Sequence, residues 1–311
     1  MEWFIYKMIV IDLLKNMLLF IDQQTAAIFA QINYPKQEIP VALEYNSQEQ
    51  KACLVTKNGD KGSLFIINAT TPKLYRLPIE FPAPLQCTIT PNFNFTYFVD
   101  DKSTLYRLDM TALTITPIAQ PDNASCVGIT FADDKIYTAW ETKENGTIAI
   151  LKENGDFLSE CQLEGIPTNI CVYQKKILVP FTESKIHGEG LAILIDDALP
   201  IYLSFQSPES VKALRAYPCN ITINPTTNTA YIINEDSCSL TTIDLAKNTI
   251  SGSFSIGRSI TNLYLLPNPN FAIATSNMFA DLSVIDLVNQ RLISMSNNDC
   301  EFANMLIVLK Q

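Results

Sequence analysis

The chain has 311 residues, 47% of them hydrophobic and 10% aromatic, enough apolar side chain for a large buried core and far from a disordered composition. Its 22 basic and 32 acidic residues leave a formal charge of −10 with no basic stripe, which excludes nucleic acid and anionic membrane surfaces as partners. A single histidine excludes a histidine-rich zinc site, and eight cysteines without a Cys-x-x-Cys pair carry no metal-ligand spacing, although carboxylate-bound calcium stays open.

The first segment, residues 1–34, opens with an apolar run that Glu2, Lys7, Asp12 and Lys15 break below the length of a signal-peptide core or membrane span. Lys7-Met8-Ile9-Val10 and the stretch 18–32 read instead as strands, with Ile21-Asp22 opening a turn at Gln23-Gln24-Thr25. In residues 35–80, Ile67-Asn68 opens the turn Asn68-Ala69-Thr70-Thr71 before the strand Lys73-Leu74-Tyr75-Arg76-Leu77. Residues 81–119 hold Thr88-Ile89-Thr90, a Pro91-Asn92 turn, Thr96-Tyr97-Phe98-Val99 and then Leu108-Asp109. Residues 120–164 repeat the scheme with Ile129-Thr130-Phe131, Asp133-Asp134, Ile136-Tyr137-Thr138 and Leu151-Lys152, and Trp140 closes the second strand.

Residues 165–207 contain the Lys175-Lys176 turn, the loop that carries His187, and Ile195-Asp196. Residues 208–257 begin with the longest connection in the chain, which carries Arg215 and Tyr217, and continue through Ala230-Tyr231-Ile232-Ile233 to Ile243-Asp244. Gly257-Arg258 links to residues 258–298, where Ile285-Asp286 precedes the turn Val288-Asn289-Gln290. The last stretch, Ala303-Asn304-Met305-Leu306-Ile307-Val308-Leu309, reads as one isolated strand.

Seven pairs of a hydrophobic residue with an acid, amide or, once, lysine therefore recur at gaps of 46, 41, 43, 44, 48 and 42 residues. That period is the length of a propeller blade, about 40–50 residues. Four residues before each pair's second member stand Leu18, Leu64, Leu105, Ile148, Ala192, Leu240 and Leu282, apolar throughout as a strand buried between sheets requires. We therefore predict an all-β, seven-bladed β-propeller of four-stranded antiparallel blades in a single domain, 1–311. The blade shared between the termini, 299–311 with 1–34, takes three strands from the start of the chain and one from its end, which removes open sheet edges.

The segment Thr229-Ala230-Tyr231-Ile232-Ile233-Asn234, followed by Ser239-Leu240-Thr241-Thr242-Ile243-Asp244, resembles the YVTN repeat of surface-layer propellers, and Asp281-Leu282-Ser283-Val284-Ile285-Asp286 resembles its second half. Gly257 resembles the glycine that opens each such repeat. The likeness is clear over residues 219–296 and elsewhere extends through periodicity alone. Only two tryptophans, Trp3 and Trp140, and no Gly-Gly pair disfavour the WD40 and kelch types. The resemblance allows an exported or cell-surface protein; the strand role of the N-terminal residues argues for the cytoplasm, and a monomer is expected.

No phosphate cradle, nucleophile elbow or His-Glu-x-x-His occurs, so the expected role is a non-catalytic binding or scaffold protein that uses one propeller face for a protein or small ligand, with no cofactor and no metal. The alternative is a propeller enzyme of lactonase or lyase type with its site at the channel mouth. Candidate binding residues are Arg215, Tyr217, Arg258, Trp140 and His187, cationic and aromatic groups of the kind that anchor interfaces. The paired acids Asp100-Asp101, Asp133-Asp134 and Asp196-Asp197 read as turns, because neighbours on a strand point to opposite sides. Cys87, Cys126, Cys171, Cys219 and Cys300 fall near the starts of first strands and read as buried thiols, with an approach around the channel as the sharper option. Arg107 stands where the other copies are apolar or threonine, and is expected to find a carboxylate or the rim.

Overall fold

The computed structural model describes residues 7–22, 28–46, 49–118, 121, 123–143, 145–195, 198–206, 215–276, 282–295 and 302–309. Within them seven antiparallel sheets follow one another around a ring, and no helix occurs. Blade one is Ile39–Asn46, Lys51–Asn58, Lys61–Asn68 and Lys73–Arg76, running outward from the axis. The strands of blade two are Gln86–Ile89, Phe95–Val99, Leu105–Asp109 and Thr114–Ile118. Blade three comprises Ser125–Ala132, Lys135–Glu141, Gly146–Lys152 and Phe157–Leu163. In blade four the inner strand is split into Ile166–Pro167 and Cys171–Tyr173, ahead of Lys176–Ser184, Gly188–Ile195 and Ile201–Gln206. Blade five has Pro218–Asn224, Thr229–Asn234, Ser239–Asp244 and Thr249–Ser255. Blade six has Asn262–Leu265, Phe271–Thr275, Ser283–Asp286 and Arg291–Met295.

Blade seven closes the ring. Its inner strand, Phe302–Leu309, pairs with Lys7–Asp12, and Met17–Asp22 and Ile28–Asn33 complete the sheet. Met8 lies opposite Val308 and Ile9 opposite Ile307, so the two ends of the chain share one hydrogen-bonded ladder. The short strand Phe81–Pro82 pairs with Lys61 and Gly62 and extends blade one rather than opening blade two.

Alternation along each strand builds the core. Ile9 and Ile11 pack toward blade one, against Ala52, Leu54, Phe65 and Ile67, while Met8 and Val10 face Ile273 of blade six. The same division repeats around the ring, with one apolar cluster in each of the seven interfaces between neighbouring blades. The middle strands thus bury apolar side chains on both sides, and burying each Leu, Ile or Phe contributes about 1.5–3 kcal/mol.

The recurring acid or amide has a local cause. Asp244 Oδ1 accepts the backbone N–H groups of Ala246 and Lys247, and Asn68, Asp109 and Asp286 do the same for the residues two and three positions on. Each side chain mimics a backbone turn and starts the hairpin to the outer strand. Blade three has Lys152 at this position and turns differently, through Gly155 at φ +94°, whose N–H reaches the Lys152 carbonyl. The turns after Asp22 and at Asp196-Asp197 lie outside the described residues.

Candidate functional site

Seven innermost strands wall the central channel, and their residues can be matched by register. Glu44, Thr88, Thr130, Val172, Thr222, Tyr264 and Ile307 stand on one rung, each opposite the equivalent residue of its second strand. Among the described residues of these strands, Glu44 is the one Asp, Glu, Lys, Arg or His. It is exposed although it sits in the middle of an inner strand, so the solvent it meets is that of the channel. The protein crowded around it pushes its carboxyl up to about 7, because burial disfavours the charged form.

A second rung is built for cohesion. The Gln86 amide donates to the Val127 carbonyl, Asn169 to the Cys219 carbonyl at 3.4 Å and the Asn220 Oδ1 at 3.1 Å, and Asn220 to the Thr261 carbonyl at 3.1 Å and the Asn262 Oδ1 at 2.6 Å. The Gln86 and Asn220 amides each grip a carbonyl one residue before their own counterpart in the next blade, and Asn169, in the break of the split inner strand, reaches blade five in a similar way. Gly128 takes this register in blade three, and a side chain there would meet the backbone nitrogen of Ile170 at 2.9 Å.

The described cysteines are all free. Cys53 lies opposite Glu44 in the ladder, and Cys87 of the neighbouring inner strand packs in the same cluster as Cys53. Burial raises both thiols strongly, with the Glu44 charge adding to it, and lifts Cys126 and Cys219 to about 12 and Cys171 to about 11. Such thiols stay protonated at neutral pH and are poor nucleophiles and poor ligands. No three His, Cys, Asp or Glu side chains converge on a metal position among the described residues, and Cys300 lies outside them.

The rim residues fall into separate local arrangements. Arg215 Nε lies 3.1 Å from the Oε1 of Glu189, whose other oxygen accepts the backbone N–H of Ala216 and Tyr217. Glu189 is fully buried, so this set rivets the blade-four edge to the entry of blade five, while the Arg215 guanidinium spreads over the Tyr217 ring at 5.4 Å and reaches Glu183 at 3.7 Å. His187 stacks on Tyr202 with ring centres 4.2 Å apart and holds its Nε2 3.5 Å from Glu164. Arg258 is half-buried in the link between blades five and six. Trp140 is 1% exposed and donates its indole N–H to Thr138, so it is packing between blades two and three and offers no rim surface. Residues 207–214 of the long connection lie outside the described residues.

Two further expectations resolve in local chemistry. Asp100 accepts the N–H groups of Lys102 and Thr104, and Asp133 and Asp134 both take turn conformations at positive φ, so neither acid pair converges on a common point. Arg107 rests its guanidinium over the Phe95 ring at 5.2 Å, an aromatic face in place of the expected carboxylate or rim. Glu44 is the candidate group that sequence reasoning missed. The available signal was its isolation, one charge in seven innermost strands.

No family model matches the sequence, and no curated protein does. Among solved structures, a functionally unknown protein from Desulfotomaculum acetoxidans is similar with a TM-score of 0.74 and 15% identity, over 98% of this chain and 99% of that one. Apo AztD from Citrobacter koseri is similar at 0.64 and 12% identity over 99% of both chains. Kuenenia stuttgartiensis hydrazine synthase is similar at 0.65 and 14% identity, over 87% of this chain and 89% of that one. These likenesses establish the seven-bladed architecture, which hosts unlike proteins.

Proposed function

We propose that the protein is a non-catalytic binding or scaffold module, working as a cytoplasmic monomer, that offers one propeller face to a protein or small ligand. The carrying observation is the poverty of acid-base chemistry in the channel wall, where Glu44 stands without a His, Lys, Arg or second carboxylate on the described innermost strands. Catalysis needs several such groups within reach of one atom, whereas recognition needs only a rigid, well-shaped surface. Arg215, Tyr217, Arg258 and His187 supply that surface on the links and turns at one end of blades four to six. Free, protonated thiols support a reducing compartment. Membership of the YVTN-repeat propellers belongs to the same proposal and rests on Tyr231 to Asn234 and on the Asp244 turn.

The second reading, a propeller enzyme, draws on Glu44 itself, since a carboxyl lifted to about 7 suits a general base. The two are separated by purifying the protein natively with what it retains, then measuring affinity for that ligand in Tyr217→Ser and Arg258→Glu variants of unchanged melting temperature. The binding reading expects at least a tenfold loss of affinity and no turnover. Conversion of any ligand by the wild type, lost in Glu44→Gln, would overturn it.

A further inference from the structure

Glu44 has neither an ion pair nor a hydrogen bond to its carboxylate among the described residues, although it stands in a channel ringed on every side by protein. The elements packed against it bring no counter-charge. Cys53 faces it from the second strand of its own blade and Cys87 from the inner strand of blade two, both neutral thiols, and on the other side Phe302–Leu309 contains no titratable residue. Two places along the same rung, Thr88 and Thr130 are half-buried hydroxyls. A carboxylate in such a place meets only the water of the channel and lacks a protein partner to compensate it.

We propose that the central channel is a binding site for an organic cation, an ammonium or guanidinium group, with Glu44 as its counter-ion and the threonine hydroxyls of the same rung as acceptors for its remaining N–H groups. An ammonium carries three donors and a guanidinium five, which suits a wall of one carboxylate and several neutral acceptors. A metal ion fits poorly, because no three ligating side chains converge and one carboxylate leaves most of a coordination sphere empty. The net charge of −10 draws cations toward the molecule from every direction. This site rests on the binding reading and names its ligand chemistry. It also implies a pH dependence, since a carboxyl lifted to about 7 must lose its proton before it can hold a cation, so affinity rises as pH increases through that value.

The full chain is titrated by calorimetry at pH 8 with n-butylammonium, with n-butanol as the neutral control and with the tripeptide acetyl-Gly-Lys-Gly-amide. In parallel the Glu44 carboxyl is followed by carbon NMR, assigned through Glu44→Gln. Butylammonium is expected to bind the wild type at least tenfold more tightly than Glu44→Gln, to discriminate against butanol, and to move the carboxyl midpoint downward. Binding of the tripeptide as well assigns the cation to a partner's lysine side chain; its exclusion assigns a free amine. Equal affinity in both proteins, an unmoved midpoint, or displacement of the amine by calcium at equal concentration overturns the proposal. If Glu44→Gln fails to fold, the wild-type midpoint alone decides. No amine binding by the wild type, while Tyr217→Ser and Arg258→Glu still weaken a retained ligand, would sink the channel site and leave the face intact.

Discussion

Glu44 shows how one residue acquires meaning only from its surroundings. In Ile39-Pro40-Val41-Ala42-Leu43-Glu44-Tyr45-Asn46 it reads as an ordinary solvent-side strand residue, and nothing local distinguishes it from Glu49 or Glu80. Ring closure puts it in the channel and lifts its carboxyl to about 7, above the ordinary carboxylate range. The sign follows directly. The folded protein holds this proton more tightly than the unfolded chain, so Glu44 adds stability below the ordinary carboxylate range and loses that contribution as pH rises to about 7. Glu44→Gln removes the charge and keeps the shape. Its melting temperature is expected to exceed that of the wild type at pH 8 and to match it at pH 5; a variant less stable at pH 8 would mean that the charge has a partner. Arg215 teaches the converse lesson. Its cationic and aromatic company is visible locally, but its principal partner, Glu189, lies 26 residues away on another blade, a relation no local pattern carries.

At the scale of the element, the hairpins were legible because their cause is local. Asn68, Asp109, Asp244 and Asp286 each fold the next three residues by their own side chain, so the spacing of these residues along the chain is the spacing of the blades. The split inner strand of blade four was not legible, since a three-residue interruption, Thr168 to Ile170, looks no different from a continuous strand in composition. Nor were the inter-blade amide clasps, which join residues 41 to 50 apart through carbonyls that every residue possesses. Asn220 is the centre of the series. It donates to Thr261 and Asn262 and accepts from Asn169 and from the N–H of Ile221, so it ties blades four, five and six at one point. Asn220→Ala leaves the Asn169 amide and the Ile221 N–H short of an acceptor, and should cost about 2–3 kcal/mol. Urea unfolding measures it. A change below the error of the extrapolation would show that water replaces the clasp freely.

For the whole molecule, stability is distributed as seven equivalent interfaces, and the ring holds because each blade is gripped from both sides. Blade seven is the exception in its construction, since Phe302–Leu309 and Lys7–Asp12 meet from opposite ends of the chain and their pairing crosses nearly its full length. Closing so long a loop costs conformational entropy, which only the completed ladder and the two flanking apolar clusters offset. Removal of residues 302–311 leaves the edge of Lys7–Asp12 unpaired, with Ile9, Ile11, Met8 and Val10 beside it, a row of open backbone groups next to apolar side chains. The truncated chain is expected to lose cooperative unfolding and to associate, read as a broadened thermal transition and a rising mass by light scattering. A separate peptide spanning residues 300–311, added in excess, should restore the sharp transition by supplying the missing strand. A truncated chain that stayed monomeric with an unchanged transition would mean that six blades and three strands suffice, and that the shared sheet is not what holds the ring shut.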